Sequence, residues 1–299
     1  MNELFISAAN ERDLASLATF MSEHGGRLVT EAYLKHWYFR NPSGSASVMI
    51  GRVNGRVVGV ATTNDHYFSG PEGKMLVAMP QKVLTDPAYR GMGIFQRLYK
   101  ASEKACLARG VSFFLTVTNK ASTPIFLGRF GYARAREPVL LWHPLSFGPL
   151  PPVSQDDTML QEQQPAAGGW RMMKDPDHYR WRYSENPASD HARYGFKIED
   201  RTGFVFVKKI RKKGVPILLV LDMVGSSDQQ KTLLSASRKL AWKHRCPFLL
   251  RMEDPLLNDH GGFKINSGFN LLVKGRDVNE TRRLASEKFH LSFGDLDFF

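Results

Sequence analysis

The sequence predicts an α/β (α+β) fold built from two similar halves, each a mixed, mostly antiparallel sheet flanked by helices. Helix-like and strand-like apolar spacings alternate along the first 145 residues, which is typical of a layered fold. Asn54-Gly55 joins two alternating apolar runs and indicates a two-residue β-hairpin. Short sequence patterns of the first half return in the same order in the second half.

The elements of the first half follow from the spacing of apolar residues. We expect a helix where they recur every three or four positions, and a strand where they alternate or form a short run. In chain order these elements are a strand at Phe5–Ala8, a helix at Asp13–Ser22, a helical turn at Glu31–Tyr38, strands at Val48–Val53, Val57–Thr63 and Met75–Leu84, a helix at Gly93–Ala108, a strand at Val111–Val117, a helix at Ser122–Arg129 and a strand at Val139–Trp142.

The second half repeats the first at an offset of roughly 135 to 145 residues, which predicts an internal duplication. The motif YFRNP at Tyr38–Pro42 returns as YSENP at Tyr183–Pro187, and FFLTV at Phe113–Val117 returns as FLLRM at Phe248–Met252. A stretch rich in proline, glycine and glutamine separates the halves. The predicted organisation is an N-terminal domain at residues 1–145, a linker at 146–169 and a C-terminal domain at 170–299.

The chain is basic, with 41 Lys and Arg against 29 Asp and Glu and a formal net charge of +12. Such a charge favours anionic partners. The densest basic run, KKIRKKG at Lys208–Gly214, is interpreted as a solvated hairpin tip because no aromatic residue interleaves with the charges. We therefore expect no nucleic-acid partner, and a binder of nucleic acid or anionic membranes is kept as an alternative.

Composition also limits the location of the protein and the roles of its cysteines. No apolar run is long enough to span a bilayer, and the N-terminus does not have the pattern of a signal peptide, so the expected location is cytoplasmic. Cys106 and Cys246 each fall inside an expected element, where a small buried hydrophobic residue is favoured over a disulfide or a metal ligand. No metal is expected, and the protein is expected to be a monomer or a homodimer.

The segment TDPAYRGMGIFQRL at Thr85–Leu98 places two glycines and an arginine between a strand and a helix. Backbone N–H groups in the first turn of a helix lack intrahelical partners, and the helix dipole makes that end partly positive. Gly91 and Gly93 allow close backbone approach to a ligand, and Arg90 adds a charge. The pattern predicts a pyrophosphate-binding loop, although it matches neither a Walker P-loop nor a Rossmann fingerprint.

The same loop resembles the phosphate loop of the GNAT superfamily of acyl-CoA-dependent N-acyltransferases. Its pattern of Gln or Arg, two residues, Gly, one residue and Gly or Ala is matched by Arg90 and Gly93, while Phe95 departs from the small final residue. The strand ending at Asn119 and the later Phe130-Gly131-Tyr132 are also similar to that family. The resemblance implies two tandem GNAT-like domains, the second degenerate, and acetyl-CoA or another acyl-CoA as co-substrate.

The resemblance also implies residue roles. The backbone of Val83, next to a bulge of the long strand, polarises the thioester carbonyl. The backbone of the strand end pairs with the pantetheine arm, the loop holds the pyrophosphate, and Asn119 lies beside the thiol. The implied cofactor-binding residues are Leu84, Thr85, Arg90, Gly91, Met92, Gly93, Ile94, Phe95 and Asn119.

The sequence marks the general acid and the general base less clearly than the phosphate loop. Asp65 and His66 follow the second hairpin strand, where the family often has an acidic group or a relayed water, and histidine accepts a proton near neutral pH. The alternative interpretation is a polar loop with a solvent-facing histidine. The tyrosine that usually acts as general acid in the family is replaced by Leu127.

These observations predict an N-acyltransferase that moves an acyl group from acyl-CoA to a primary amine of a small molecule. The tail FHLSFGDLDFF at Phe289–Phe299 resembles that of tandem proteins among cell-envelope enzymes, which hints at an amino sugar. The second half has Gly225–Asp228 in place of the loop, with Asp228 expected as a helix N-cap, so it is not expected to bind coenzyme A. Alternatives are a non-catalytic acyl-CoA-binding or sensory protein and, disfavoured by the loop, aminoacyl transfer from a charged RNA.

Overall fold

The structure is a computed structural model that describes residues 3–44, 46–154, 168–188, 190–253 and 262–296. Most of the expected linker and the last three residues of the tail lie outside this part of the chain. The strands are β1 (Phe5–Ala8), β2 (Ser47–Val53), β3 (Arg56–Gly70), β4 (Gly73–Thr85), β5 (Phe113–Thr118), β6 (Ala133–Arg134), β7 (Val139–His143), β8 (Trp170–Met172), β9 (His191–Ile198), β10 (Arg201–Lys212), β11 (Val215–Val224), β12 (Phe248–Met252), β13 (Phe263–Asn266), β14 (Asn270–Lys274) and β15 (Phe289–His290).

The helices are α1 (Leu14–Gly25), α2 (Glu31–Leu34), α3 (Ile94–Ala108), α4 (Thr123–Phe130), α5 (Pro176–Tyr179), α6 (Gln230–Lys243) and α7 (Val278–Ser286). Two π-helical turns, Lys35–Phe39 and Arg180–Ser184, continue α2 and α5. The expected elements of the first half are all present, with ends shifted by a few residues in most cases. Among the described helices, none has both the length and the apolarity needed to cross a membrane.

Strand β3 is the main departure from the sequence prediction. It continues past the expected end at Thr63 and pairs with β4 as far as the tight turn at Gly70 and Gly73. Asp65 and His66 therefore lie inside a buried strand, and the prediction that they follow the strand in a loop is wrong. Their polarity suggested a strand end, but an ion pair and packing against the second half accommodate these side chains in the interior.

The two halves exchange strands. The first sheet has the order β1-β2-β3-β4-β5-β14-β6, with β8 beside β3 and β15 beside β8, and the second has the order β13-β7-β12-β11-β10-β9. Strand β14 of the second half thus pairs with β5, and β7 of the first half pairs with β12. Only β4–β5, β8–β15 and β11–β12 are parallel among the described strand pairs, so both sheets are mixed and mostly antiparallel, as predicted.

The repeated motifs YFRNP and YSENP end two equivalent helical segments that meet between the halves. Thr30 and Asp175 cap the two helices with their side chains. His36 and Trp181, which occupy matching positions, bond reciprocally: His36 Nε2 donates to the Trp181 carbonyl at 2.7 Å, and Trp181 Nε1 donates to the His36 carbonyl at 3.0 Å. The contact therefore has approximate two-fold symmetry, as an interface between duplicated units does.

One apolar core joins the halves as well. It contains Phe68 and Phe113 from the first sheet, and Tyr179, Phe206 and Phe293 from the second half. Burying such rings contributes most of the favourable free energy of folding. Each half therefore depends on the other for part of its core. The first sheet also takes β8, β14 and β15 from the second half, and the second sheet takes β7 from the first half.

We predict that residues 1–145 and 146–299, expressed separately, do not fold stably, because each loses the strands that the other half supplies and part of the shared core. Thermal unfolding followed by circular dichroism should show no cooperative transition for either fragment and a restored transition after mixing or co-expression. A cooperative transition of the 1–145 fragment near that of the full chain would contradict this and would support the predicted boundary at 145 as that of an independent domain.

Candidate functional site

The loop between β4 and α3 has the backbone that the glycine pattern predicts. Asp86 Oδ1 accepts the Ala88 N–H at 2.9 Å and begins a short 3₁₀ turn after the strand. Gly91 and Gly93 follow with φ of 79° and 72°, in the left-handed region that favours glycine. Helix α3 then begins at Ile94 without a side-chain cap on its first turn.

The backbone N–H groups of this loop are unsatisfied. Within the described residues, those of Gly91, Met92, Gly93, Ile94 and Phe95 donate no hydrogen bond. Gly91, Met92 and Gly93 are also exposed, so their N–H groups face solvent at the positive end of α3. A run of free donors at a helix N-terminus next to an arginine is suited to an anion such as a diphosphate.

The equivalent loop of the second half is partly closed by its own hydrogen bonds. The Ser226 N–H donates to Gln229 Oε1 at 3.0 Å, and the Gln229 N–H donates to the Ser226 carbonyl at 3.0 Å. The predicted N-cap role of Asp228 is wrong, because α6 begins at Gln230 and the Asp228 carboxylate pairs with Arg201 instead. Among the described loops at this position, the one of the first half has two glycines in the left-handed region beside an arginine, whereas Gly225 of the second half does not have a positive φ.

Strands β4 and β5 separate beside the loop. They pair only at Val77 with Phe113 and at Ala78 with Phe114, and β5 then pairs with β14 along its other edge. The edge of β4 from Met79 to Thr85 therefore has no neighbouring strand within the described residues, and it faces a gap between β4 and β5. An extended ligand can add to such an edge through backbone hydrogen bonds.

Asn119 lies at the far end of β5, at the edge of this gap. Its Oδ1 accepts the N–H groups of Ala121 and Ser122, both at 3.0 Å, and so fixes the turn into α4. The side-chain amide nitrogen has no partner among the described residues, so it can donate to a ligand in the gap.

A β-bulge in β4 lies immediately before Val83. Across the ladder Thr62 stands opposite both Gln81 and Lys82, between the pairs Thr63–Pro80 and Ala61–Val83. Thr62 Oγ1 accepts the Lys82 N–H at 3.0 Å and donates to the Lys82 carbonyl at 3.2 Å, which stabilises the bulge. A bulge redirects the following backbone groups out of the ladder, as the predicted role of Val83 requires.

Phe95, which replaces the small residue of the family pattern, turns its ring away from the loop. The ring packs edge-on against Phe130 with centroids 5.4 Å apart and also contacts Phe126 and Tyr99. The ring therefore belongs to the apolar contact between α3 and α4. Its bulk leaves the N–H groups of the loop uncovered.

Asp65 is held on the α3 face of the sheet. Its Oδ2 accepts hydrogen bonds from Arg109 Nε at 2.9 Å and Nη2 at 2.6 Å. Burial raises the pKa of the Asp65 carboxyl and outweighs the opposing effect of Arg109. The pair ties the end of α3 to β3, and the sequence analysis missed Arg109 because nothing in its spacing marked it as a partner of Asp65.

His66 points to the opposite face of the strand, toward the second half. It is fully buried, with its ring 6.0 Å from that of His178 and 6.2 Å from that of Trp181. Burial lowers the pKa of His66 to about 3, and the charges of Arg182 and Lys174 act in the same direction. The alternative interpretation as a solvent-facing histidine is therefore wrong, and the structure does not bring Asp65 and His66 together.

Polar residues that the sequence analysis missed surround the bulge on the α1 and α2 face. Trp37 Nε1 donates to Gln81 Oε1 at 2.9 Å, and Asn64 Nδ2 contacts the same oxygen at 3.5 Å. The Lys82 ammonium lies 5.5 Å from the centre of the Tyr33 ring. The alternation of β4 placed Gln81 and Lys82 on a strand, but only the bulge shows that they flank the candidate reaction centre.

The second half contains a small cleft of about 50 Å³ where β11 and β12 part. Lys174 lines it and contacts Asp222 at 2.6 Å and Asp295 at 2.5 Å, and the Tyr183 hydroxyl donates to Asp222. These buried groups largely neutralise one another. In the described part of the chain, no cluster of three or more histidine, cysteine or acidic side chains is arranged to hold a metal ion.

Comparison with known proteins bears on the family and the fold. Residues 14–135 match the family model "Acetyltransferase (GNAT) domain". The acetyl transferase GW6a of rice (Oryza sativa subsp. japonica) is 30% identical over 105 residues, which are 34% of this chain and 25% of that protein. The match thus spans about a quarter of that relative's length.

Solved structures resemble the whole chain. A GCN5-related N-acetyltransferase from Anabaena variabilis has a TM-score of 0.64 and 14% identity, covering 92% of this chain and 74% of that one. A probable N-acyltransferase from Enterococcus faecalis has a TM-score of 0.69 and 8% identity, and the match covers 93% of this chain and 74% of that one. The N-myristoyltransferase of Saccharomyces cerevisiae with bound myristoyl-CoA has a TM-score of 0.57 and 10% identity, and the match covers 92% of this chain and 83% of that one. These likenesses confirm the predicted fold class.

We predict that the buried histidines make the fold sensitive to acid. The pKa of His66 is lowered to about 3, so between about pH 6.5 and 3 the unfolded state binds a proton at this residue and the folded state does not. The contribution of neutral His66 to the free energy of unfolding is therefore complete above pH 6.5 and is lost as the pH falls toward 3. His66→Asn should flatten the fall of the unfolding free energy between pH 7 and 5 by up to about 1.4 kcal/mol per pH unit. Urea unfolding measures this, and parallel curves for the two proteins would contradict it.

Proposed function

We propose that this protein, whose residues 14–135 match the GNAT acetyltransferase family model, is an N-acyltransferase that uses acetyl-CoA or another acyl-CoA and a small-molecule primary amine. The observation that carries the proposal is the run of unsatisfied N–H groups from Gly91 to Phe95 at the open end of the gap between β4 and β5. Arg90 and these donors would hold the diphosphate of coenzyme A. The free edge of β4 at Leu84 and Thr85 would pair with the pantetheine amides.

The transfer itself needs few groups. The amine nitrogen attacks the thioester carbon, the Val83 N–H stabilises the oxyanion, and the carbon–sulfur bond breaks with its electron pair passing to sulfur. With Leu127 in place of a tyrosine, the thiolate takes a proton from water. The amine proton passes to solvent or to a side chain.

The role of Asp65 and His66 as proton acceptors remains a prediction. Their surroundings weaken this role, since Asp65 is paired with Arg109 and His66 is a weak base in its buried setting. We therefore expect the rate to follow the fraction of acceptor that is already a neutral amine, so that it rises with pH up to the pKa of that amine.

The alternative function is a non-catalytic protein that binds acyl-CoA as a structural or sensory ligand. The leucine at position 127 and the burial of Asp65 and His66 favour it. Both functions use the same binding loop, so the difference lies only in turnover. An amino-sugar acceptor, a cytoplasmic location and a monomeric or homodimeric state are further parts of the proposal.

We predict that Gly93→Ala weakens acetyl-CoA binding roughly tenfold or more, because an alanine resists the left-handed backbone that aims the loop N–H groups. Gly110→Ala is a matched control: Gly110 has φ of 87°, and an added Cβ would meet nothing within 4 Å at either glycine. Both variants should lose about 1–2 kcal/mol of stability. Titration calorimetry should show weak binding only for Gly93→Ala, and equal affinities would contradict the assignment.

A second prediction separates catalysis from binding. Acetyl-CoA should release free thiol when amino sugars, amino acids or polyamines are added, and Arg90→Glu should abolish the release by opposing the diphosphate. Thiol release is followed with a chromogenic disulfide. Tight acetyl-CoA binding without release for any amine would favour the non-catalytic alternative, and no binding would retire both.

A further inference from the structure

The basic hairpin of the second half is continuous with the end of α6. Lys209 on β10 donates from Nζ to the His244 carbonyl, which follows α6, at 2.8 Å. Side chains alternate along a strand, so Arg211 points to the same face of the sheet as Lys209, toward α6, and Lys213 follows in the turn at the tip. We call the combined surface the basic face, formed by Lys209, Arg211, Lys213, Arg238, Lys239, Lys243 and Arg245.

Within the described part of the chain, no carboxylate neutralises the charges of the basic face. None of its seven cations lies within ion-pair distance of a described carboxylate, whereas Lys208 beside them pairs with Asp190 at 2.6 Å. Their polar contacts are to backbone carbonyls, such as Lys239 Nζ with Pro149 at 2.6 Å and Arg238 Nε with Pro144 at 2.9 Å. The face therefore has a strong positive potential.

Two exposed aromatic rings lie within the basic face. Trp242 is 58% exposed on α6, and Phe147 is 67% exposed on the segment that Arg238 and Lys239 hold against α6. The rings pack edge to face with centroids 5.0 Å apart. Helical spacing puts Trp242 on the same side of α6 as Arg238 and Lys239. The result is an apolar pair with cations around it.

We infer that the basic face binds the surface of an anionic phospholipid bilayer, with Trp242 and Phe147 inserted among the headgroups. Lipid phosphates and serine carboxylates complement the unpaired cations, and tryptophan and phenylalanine partition into the interfacial region of a membrane. The loop at Gly91–Gly93 would stay accessible to its own ligand when the protein is bound to a membrane, because the basic face belongs to the second sheet and α6.

The geometry of the rings favours a bilayer over a nucleic acid. Stacking on a base requires a flat, accessible ring face, often on several separate aromatic side chains. Here the two rings contact each other at an interplanar angle of 69° and form one compact apolar projection. A projection of this kind matches insertion between lipid headgroups.

The test is co-sedimentation of the full chain with vesicles of phosphatidylcholine alone and of phosphatidylcholine with about 30% phosphatidylserine. We expect binding to the second kind only, lost when NaCl is raised from about 0.1 M to 0.5 M. Arg211→Glu/Lys213→Glu should weaken it roughly tenfold or more. The charge-matched control Arg12→Glu/Lys100→Glu changes two exposed cations of the first half and should bind as the wild type does.

The aromatic pair has its own readout. The other four tryptophans, Trp37, Trp142, Trp170 and Trp181, are buried or half-buried, so a blue shift of the fluorescence on vesicles should come from Trp242 and be absent in Trp242→Phe. Phe147→Ala should weaken binding, whereas Leu28→Ala, at a leucine 83% exposed on the first half, should not. Equal binding to neutral vesicles, no binding, or preferential binding of a mixed-sequence DNA duplex or single-stranded RNA would each overturn the inference.

Discussion

The separation of β4 from β5 is the constraint on which the candidate site depends. Two strands that part after two residue pairs leave backbone groups without partners, and such groups are costly unless they are satisfied elsewhere. Strand β14 pairs with β5 from Phe114 to Thr118 on the outer edge, so that edge is satisfied and the inner edge of β5 is the one without a strand partner. The second half thus holds β5 in a position where its inner edge faces a gap. The reciprocal pairing of β7 with β12 holds the second sheet in the same way.

The two halves show how one scaffold can keep or lose a ligand site through a few hydrogen bonds. Both have a bulged long strand, a parallel neighbour that diverges and a helix that follows. In the first half the helix starts after glycines that leave its N–H groups free. In the second half Gln229 accepts the Ser226 N–H, and a lysine with two aspartates lines the equivalent gap. An acyl-CoA would have to displace these internal bonds in the second half, whereas the first offers open donors.

Local patterns in the sequence were sufficient to predict the elements, the hairpin at Asn54-Gly55 and the glycine loop, because each depends on backbone preferences of a few adjacent residues. The strand exchange could not be predicted, since β7 and β14 have the same apolar character whichever sheet they join. The environment of Asp65 and His66 was missed for a related reason: their burial comes from Arg109 and from Trp181, which are distant in sequence. The packing of Phe95 against Phe130 was missed for the same reason, because the two residues are far apart in sequence.

The most direct test of the central claim is residue-resolved amide hydrogen exchange with and without saturating coenzyme A. The account predicts that the amides of Gly91, Met92, Gly93, Ile94 and Phe95 exchange rapidly in the free protein, because they have no partner, and slow markedly when the diphosphate accepts their hydrogen bonds. Coenzyme A that binds without slowing these amides, or that instead protects residues 220–223 beside the cleft of the second half, would contradict it.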